Sequence, residues 1–277
     1  ARRKFQVHGN QLTGIAMVEE DSGPFCANAL TDEPPVRQWL IKDWIKLNTV
    51  NALYGDGGAG KSLLAQQLAT CVSKGIAWLG METKQMPVLC VMCEDDPDEV
   101  HIRQAAINRG CGVENMNQLP DLHFWTRVGH ENLMVTYGGD GIPQLSNFHK
   151  TVIDQANQLG AKLIIMDTVT DFFGGNEIDR SQVNHFIKHV MGSIAAGTEG
   201  TVLQLAHPSM SGKASGSGFS GSTAWNNSVR SRIYLEKPEN GLDEERIMTR
   251  KKSNYAISGD STDISLFWEN GILRLVS

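Results

Sequence analysis

From Trp39 onward, short runs of apolar residues alternate with longer amphipathic stretches along the chain. The short runs have the composition of buried strands, which we expect at residues 47–54, 88–93, 122–125, 163–167 and 201–207. The longer stretches carry apolar residues at helical spacing and are expected to form helices ending near residues 75, 109, 159 and 196. This alternation predicts an α/β fold with a mostly parallel sheet flanked by helices.

The last part of the chain follows a different pattern, in which strand-like segments are separated by short polar turns. Residues 232–236 are expected to pair with 246–250. Residues 266–268 are expected to pair with 272–274 around the turn dipeptide Asn270-Gly271. We therefore expect antiparallel hairpins at the C-terminal end.

Residues 1 to about 30 show no clear period, and Thr31-Asp32-Glu33-Pro34-Pro35 is typical of a linker. We therefore expect an N-terminal arm and linker over residues 1–38 and one domain over residues 39–277. Because the chain begins with Ala1 and not with methionine, we expect a processed product or part of a longer protein. A Ser/Gly-rich loop over 208–223 interrupts the domain, and loops of this length are usually functional or disordered.

Two local patterns indicate how particular residues are used. Asp96 is placed to cap a helix, with Pro97 at its first position and Glu99 three residues after the cap. Cys90 and Cys93 have the spacing of a redox or zinc pair, but a separation of three in a strand puts them on opposite faces. We therefore interpret both cysteines as core residues.

Composition narrows the class of protein. The 277 residues are 40% hydrophobic, which is enough for a sizeable core. No run approaches the ~18 apolar residues of a membrane span, no signal-peptide pattern occurs, and the five cysteines are expected to be reduced. We therefore expect a cytoplasmic protein with no membrane partner. The net charge of −6 argues against indiscriminate nucleic-acid binding, so any contact with DNA would be local.

A phosphate-binding pattern, G-x-x-x-x-G-K-[ST], lies between the first long strand and its helix. Its glycines let the backbone approach an anion, and N–H groups at the helix start point towards that anion. Lys61 supplies positive charge to the β- and γ-phosphates, and the Ser62 hydroxyl is a ligand for Mg²⁺. We therefore expect ATP and Mg²⁺ to be bound by this P-loop, which comprises Gly55, Asp56, Gly57, Gly58, Ala59, Gly60, Lys61, Ser62 and Leu63.

Hydrolysis of a nucleotide needs further groups at the same edge of the sheet. Asp167 ends the buried strand 163–167 at the carboxyl edge, where ligands bind in open α/β sheets, and we assign it to the Mg²⁺ shell. Thr168 follows, so this strand supplies no second acid. The strand 88–93 is followed by Glu94-Asp95, and we expect Glu94 to be the general base, with Asp95 as the alternative.

His207 ends the next strand, which suggests a contact near the γ-phosphate, although a structural role fits its position equally well. Basic residues concentrate in the last third of the chain. Arg230 follows the Ser/Gly loop, where it could reach a phosphate in its own or in a neighbouring subunit. Without a family to compare, Arg230, Arg232, Arg250 and Lys252 are nearly indistinguishable as catalytic cations.

Taken together, the motifs resemble those of the RecA-like ATPases, most closely the RepA-type hexameric replicative helicases of plasmids and phages. The resemblance runs from about residue 39 to residue 255. It rests on the P-loop, on Glu94-Asp95-Asp96-Pro97, on Met166-Asp167-Thr168 and on His207. The segments Gly221-Ser222-Thr223-Ala224-Trp225 and Lys252-Ser253-Asn254-Tyr255, with Arg230 between them, complete the set.

The resemblance implies a RecA-like fold and a hexameric ring of identical subunits that bind ATP between them. By that likeness Glu94 is the catalytic carboxylate, Asp167 the Mg²⁺-associated acid and His207 a sensor of the γ-phosphate or of DNA. Arg230, with Lys252 as a second candidate, would act in the site of the neighbouring subunit. Loops after Asp167 and His207 would grip single-stranded DNA, although Lys213 is the only cation in the second loop.

We therefore predict an ATP-hydrolysing, ring-forming motor on single-stranded DNA that serves as a replicative DNA helicase of a plasmid, phage or mobile element. One alternative is a RecA-like recombinase or loader that binds DNA without unwinding it. A P-loop kinase for a small molecule is disfavoured because no lid or acceptor pocket is recognisable. A regulatory module that binds ATP without turnover is disfavoured because Lys61, Glu94 and Asp167 are all present.

Overall fold

The computed structural model describes residue 24 and residues 26–30, 33–207, 223–255 and 263–276. By its internal contacts the chain divides into two units, Ala1–Arg37 and Gln38–Ser277. In the described part of the first unit, a 3₁₀ turn spans Ala27–Ala29. The predicted domains, residues 1–38 and 39–277, stay a prediction. Most of the predicted Ser/Gly loop, residues 208–222 with Lys213, lies outside the described residues.

Short strands and helices alternate through the second unit. The strands are β1 (Trp39–Ile41), β2 (Ile45–Lys46), β3 (Val50–Gly55), β4 (Val88–Met92), β5 (Leu122–Thr126), β6 (Val135–Tyr137), β7 (Pro143–Leu145), β8 (Leu163–Asp167), β9 (Phe173–Gly174), β10 (Thr201–Ala206), β11 (Ser231–Glu236), β12 (Glu245–Ser253), β13 (Asp263–Glu269) and β14 (Ile272–Leu275). The α-helices are α1 (Lys61–Lys74), α2 (Pro97–Cys111), α3 (Asn147–Gln158), α4 (Val169–Phe172), α5 (Arg180–His185), α6 (Gly192–Gly197) and α7 (Thr223–Ser228). A π-helical turn, Phe186–Met191, joins α5 to α6, and a 3₁₀ turn spans Met116–Gln118.

Nine strands form the central sheet, in the order β14-β13-β12-β11-β3-β10-β8-β4-β5. The strands from β11 to β5 in this order are parallel to one another. Each of β12, β13 and β14 is antiparallel to the strands beside it. The prediction of a mostly parallel sheet with C-terminal hairpins is therefore confirmed. Asn270 and Gly271 connect β13 to β14 with φ angles of 52° and 82°, as a tight hairpin turn requires.

The sequence pattern missed two smaller β elements. Strands β1 and β2 form an antiparallel pair, and β6, β7 and β9 form a three-stranded sheet in the order β7-β6-β9. Each of these strands is only two or three residues long. A run of that length is too short to show the alternation by which strands are recognised in a sequence.

The ends of the long helices follow local signals. Asp96 caps α2 as predicted, because its carboxylate accepts a hydrogen bond of 2.9 Å from the backbone N–H of Glu99. The helix runs beyond the predicted end near residue 109, and Gly112, with a φ of 62°, forms its C-cap. Gly110 lies inside the helix, where a Cβ atom would be 2.1 Å from Cδ1 of Ile272. This glycine therefore permits close packing of α2 on β14 and does not end the helix.

Helices cover both faces of the central sheet and create a buried core on each side. Helices α1 and α2 contribute to one core, and α3, α5, α6 and α7 contribute to the other. Cys90 lies in the first core and Cys93 in the second, so the prediction of opposite faces is confirmed. The five cysteines are free thiols. In the described part of the chain, no helix combines the length and the apolar character needed to cross a membrane.

Candidate active site

Four adjacent parallel strands end at one edge of the central sheet, and the residues predicted to be functional follow those ends. The P-loop follows β3, Glu94 follows β4, Asp167 ends β8 and His207 follows β10, whereas the predicted Arg230 and Lys252 lie elsewhere. Strand pairing sets Met92 of β4 beside Asp167, which brings Glu94 to the same edge. Lys61, Glu94, Asp167 and His207 line one cleft of about 360 Å³. This volume is in the range of small-molecule sites.

Glycines determine the shape of the P-loop. Gly58 and Gly60 have φ angles of 73° and 96°, in the left-handed region that residues with a Cβ atom disfavour. Gly55 is needed for a different reason, because a Cβ atom there would lie 2.3 Å from the carbonyl oxygen of Leu235 in β11. Of the predicted P-loop residues, those that line the cleft are Gly58, Gly60, Lys61, Ser62 and Leu63. The remaining positions do not line it: Gly55 is the last residue of β3, and Asp56, Gly57 and Ala59 lie in the loop after it.

Lys61 begins α1 and is only 6% exposed. Its ammonium donates hydrogen bonds to the carbonyl oxygens of Gly55 and Asp56, at 2.9 and 3.1 Å, and to Nδ1 of His207 at 3.2 Å. An ammonium can only donate, so Nδ1 of His207 accepts and the neutral ring carries its proton on Nε2. The first N–H groups of a helix have no partner within the helix. Together with Lys61 they suit the start of α1 to an anion.

Asp167 is 4% exposed, and the hydroxyl of Ser62 forms a hydrogen bond with its carboxylate. Burial raises the pKa of Asp167 to about 6, the negative charges of Glu94 and Asp95 add to this rise, and Ser62 and Lys61 oppose it. Mg²⁺ is typically held by one or two protein oxygen ligands together with substrate phosphates and water. A hydroxyl and a buried carboxylate in contact beside the P-loop therefore fit a Mg²⁺ ion that accompanies a nucleotide.

The two acids that the sequence left as alternatives occupy different environments. Glu94 lines the cleft, where burial and then the charge of Asp171 raise the pKa of its carboxyl, while Lys61 lowers it. Asp95 instead forms an ion pair with Arg103 of α2, with an Nη1 to Oδ2 distance of 2.7 Å. Of these two acids, Glu94 is therefore the one that lines the cleft, and its role as the general base stays a prediction.

Arg230 lies at the opposite edge of the sheet. Its backbone N–H donates a 2.9 Å hydrogen bond to the carbonyl oxygen of Val50, the first residue of β3, whereas Gly55 is the last. The length of β3, about 16 Å at 3.3 Å per residue, therefore separates Arg230 from the P-loop. Arg230 does not line the cleft of its own chain. Of the two alternatives from the sequence, action in its own subunit is the one that this position disfavours.

Lys252 also lies away from the cleft, beside Arg232 in the pairing of β12 with β11. Its ammonium donates to three backbone carbonyls around the end of α7, those of Asn226, Asn227 and Val229, at 3.0, 3.0 and 2.9 Å. These bonds use all three donors of the group. Within its own chain, Lys252 therefore stabilises the end of α7.

The structure adds residues that the sequence did not indicate. Trp268 of β13 lines the cleft with 37% of its surface exposed, and its ring lies 3.9 Å from the position that a Cβ atom on Gly60 would take. Arg246 of β12 donates a 2.8 Å hydrogen bond from Nε to the carbonyl oxygen of Ala59 in the P-loop. Only the predicted hairpins hinted that this part of the chain adds to the sheet, and nothing local marked either side chain.

Comparison with known proteins agrees with this geometry. The chain matches the AAA_25 family, described as an AAA domain, over residues 20–213, which is more than half of its length. Among solved structures it is similar to the KaiC-like protein PH0186 from the hyperthermophilic archaeon Pyrococcus horikoshii OT3, with a TM-score of 0.57 and 13% sequence identity. That alignment covers 88% of this chain and 100% of the other, and at such identity it concerns the fold. The chain therefore belongs to the AAA domain family, and it is a P-loop ATPase domain with a RecA-like fold.

Proposed function

We propose that the chain is an ATP-hydrolysing motor that forms a ring on single-stranded DNA and serves as a replicative DNA helicase of a plasmid, phage or mobile element. The observation that carries the hydrolytic part is the convergence of Lys61, Glu94 and Asp167 in one cleft. The resemblance of the motifs to RepA-type hexameric helicases supports the rest.

Nucleotide binding is assigned to the P-loop and to Trp268, which lies beside it. The ammonium of Lys61 and the N–H groups in the first turn of α1 bind the phosphates. The exposed face of Trp268 offers an aromatic surface on which a base can stack. Ser62 and Asp167 hold Mg²⁺, which when bound neutralises charge on the phosphate oxygens. The same two side chains are in hydrogen-bond contact with each other.

Hydrolysis is assigned to Glu94 and Lys61. Glu94 accepts a proton from a water molecule as the water oxygen attacks the γ-phosphorus, and the bond from that phosphorus to the bridging oxygen of ADP breaks. The raised pKa of Glu94 makes its carboxylate a stronger base than an ordinary surface glutamate. Lys61 balances the negative charge that moves onto the leaving diphosphate. The products are ADP and inorganic phosphate.

Coupling to DNA is assigned to His207. This residue contacts the ammonium of Lys61 on one side, and on the other side it directly precedes residue 208, where the predicted DNA-binding loop begins. A phosphate that engages Lys61 competes with Nδ1 of His207 for the same ammonium protons. The occupancy of the cleft can therefore change the position of the His207 side chain.

Sharing of the site between subunits is supported by the distribution of positive charge. The charges of Arg230, Arg232 and Lys188 all act on Lys252, so four cations are grouped at the sheet edge opposite the P-loop. A cation that cannot reach the phosphates of its own chain can reach those of a neighbour when subunits pack with opposite edges in contact. We therefore assign Arg230 to the site of the adjacent subunit.

The test is ATP hydrolysis by the whole chain with and without single-stranded DNA, combined with negative-stain imaging in the presence of an ATP analogue. We expect DNA to increase the rate and rings to be visible, and we expect Lys61→Ala to abolish turnover. Hydrolysis that DNA does not change would contradict the motor. Filaments in place of rings would favour the recombinase or loader, and absence of hydrolysis by the unmodified protein would overturn the ATPase proposal itself.

A further inference from the structure

Arg246 links the C-terminal strands of the sheet to the P-loop. It lies near the start of β12, is 6% exposed, and donates from Nε to the carbonyl oxygen of Ala59 at 2.8 Å. Its Nη1 donates to the carbonyl oxygens of Asp243 and Glu245 at 2.6 and 2.7 Å. The guanidinium carbon lies 5.7 Å from the centroid of the Trp268 ring. One buried side chain therefore contacts both the P-loop and the aromatic wall of the cleft.

The hydrogen bond to Ala59 restricts the orientation of a peptide group that faces the cleft. Gly58 and Gly60, on either side of Ala59, both have left-handed φ angles that give the loop its turn. In a trans peptide the C=O and the following N–H point in opposite directions. A carbonyl of Ala59 that is bound to Arg246 therefore directs the N–H of Gly60 away from Arg246. Gly60 itself lines the cleft.

The guanidinium of Arg246 donates its hydrogen bonds to backbone carbonyl oxygens. Within the ranges that the structure describes, Arg246 forms no ion pair with a carboxylate, and the carboxylate of Asp243 pairs with Lys237 instead. The charge of Arg246 does act on the carboxyl of Asp243, whose pKa is lowered mainly by Lys237 and further by Arg246. Burying a guanidinium whose hydrogen bonds go to neutral carbonyls is still costly for folding. A bound polyphosphate would supply negative charge on the other side of the P-loop.

We propose that Arg246 is a positioning residue for nucleotide binding: it holds the Ala59–Gly60 peptide in the orientation that receives phosphate and adds positive charge behind the P-loop. The inference rests on the proposed function, because it deepens the role of the same cleft. It also explains why a hairpin far along the chain is packed beside the P-loop. Strand β12 brings Arg246 to this edge of the sheet, and the neighbouring β13 brings Trp268.

The test compares Arg246→Gln and Arg246→Lys with the matched control Arg250→Gln. Arg250 lies in the same strand, and its guanidinium donates to the carbonyl oxygen of Asp43, away from the cleft. We expect Arg246→Gln to weaken binding of a non-hydrolysable, fluorescent ATP analogue by about tenfold or more, since a charged hydrogen bond is lost. KM for ATP should rise accordingly, while kcat changes by less than about threefold. Arg246→Lys, which keeps the charge but not the planar fork, should lose less affinity.

The readout separates positioning from a purely structural role. A structural role would lower the melting temperature and leave Kd unchanged, and that result for Arg246→Gln would overturn the inference, as would an equal loss of affinity in Arg250→Gln. If Arg246→Gln does not fold, Arg246→Lys decides by a loss of about threefold in affinity or by none. Because binding is measured without hydrolysis, an inactive wild-type protein would overturn the proposed function and still leave this inference testable.

Discussion

The ammonium of Lys61 donates a hydrogen bond to Nδ1 of His207, 3.2 Å away, although the two residues are 146 positions apart in the chain. Lys61 begins the helix that follows β3, and His207 follows β10, the strand paired with β3. The contact joins the residue assigned to the phosphates with the residue that precedes the predicted DNA-binding loop. A substitution at His207 can therefore test whether stimulation by DNA depends on this contact.

Replacement of His207 by alanine is expected to lower the ratio of DNA-stimulated to unstimulated ATPase activity towards one. The reason is that the variant lacks the imidazole that contacts Lys61 directly before the predicted DNA-binding loop. The measurement is a steady-state ATPase titration with single-stranded DNA. His101→Ala, at an exposed position on α2, is the control and should keep the wild-type ratio. A His207→Ala protein with normal stimulation would contradict the coupling role.

Replacement of Glu94 by glutamine is expected to reduce kcat by about 10²–10⁴-fold, the usual contribution of a general base. Glutamine keeps the size of the side chain but cannot accept a proton from water, so binding of ATP should persist. Asp95→Asn is the matched control, because Asp95 is engaged by Arg103 and its loss should affect kcat far less. Filter binding and single-turnover hydrolysis measure the two properties. Equal losses in both variants would remove the distinction between the acids.

Replacement of Asp167 by asparagine is expected to stabilise the Mg²⁺-free protein at high pH. The pKa of this buried carboxyl is raised from 3.8 to about 6, so the native state holds a proton that the unfolded state has lost between these values. The free energy of unfolding of the wild type therefore falls as pH rises through this window. Asparagine, which cannot ionise, escapes the loss, and its advantage should reach roughly 3 kcal/mol at pH 8.

Urea unfolding in EDTA at pH 4.5 and pH 8 measures this effect. Asp154→Asn, at an exposed position on α3, is the control and should show no comparable gain. A gain for Asp167→Asn that is as large at pH 4.5 as at pH 8 would contradict the cost of burying this charge. With Mg²⁺ and ATP present, the same variant is expected to lose activity, because the metal requires the ionised carboxylate.

Replacement of Trp268 by alanine is expected to raise KM for ATP by about tenfold, since base–aromatic stacking contributes about 1–3 kcal/mol. Trp268→Phe keeps an aromatic face and should stay closer to the wild type. Tryptophan fluorescence provides a second readout, because nucleotide should quench the emission of the wild type more than that of Trp268→Phe. Unchanged KM in the alanine variant would exclude the indole from the binding surface.

Mixtures of Arg230→Ala and Lys61→Ala subunits are expected to recover ATPase activity that neither variant has alone. In a mixed ring, an intact P-loop in one subunit can meet an intact Arg230 from its neighbour. Lys252→Ala is the contrasting variant: it leaves three carbonyls around the end of α7 without their donor, so it should lower the melting temperature. No recovery at any mixing ratio would exclude a shared site that depends on Arg230.

The sequence by itself determined the features that depend on neighbours along the chain. The P-loop, the cap of α2 at Asp96 and the turn at Asn270-Gly271 each occupy a few consecutive residues, and each was recognised from them. The alternation of strands and helices predicted the mostly parallel sheet for the same reason. Ligands of open α/β sheets bind at the carboxyl ends of the strands. The sequence therefore also predicted that Glu94, Asp167 and His207, each at the end of a strand, belong to one site.

Only the tertiary structure decided which of these residues meet and what else joins them. Arg103 of α2 forms an ion pair with Asp95, whereas Glu94 lines the cleft. Arg230 precedes β11, and because β11 runs parallel to β3 it lies beside the start of β3, away from the P-loop. Arg246 and Trp268 reach the P-loop because β11 pairs with β3 and the C-terminal strands extend the sheet from there. Strand order depends on the packing of distant segments against one another, and no local pattern of residues encodes it.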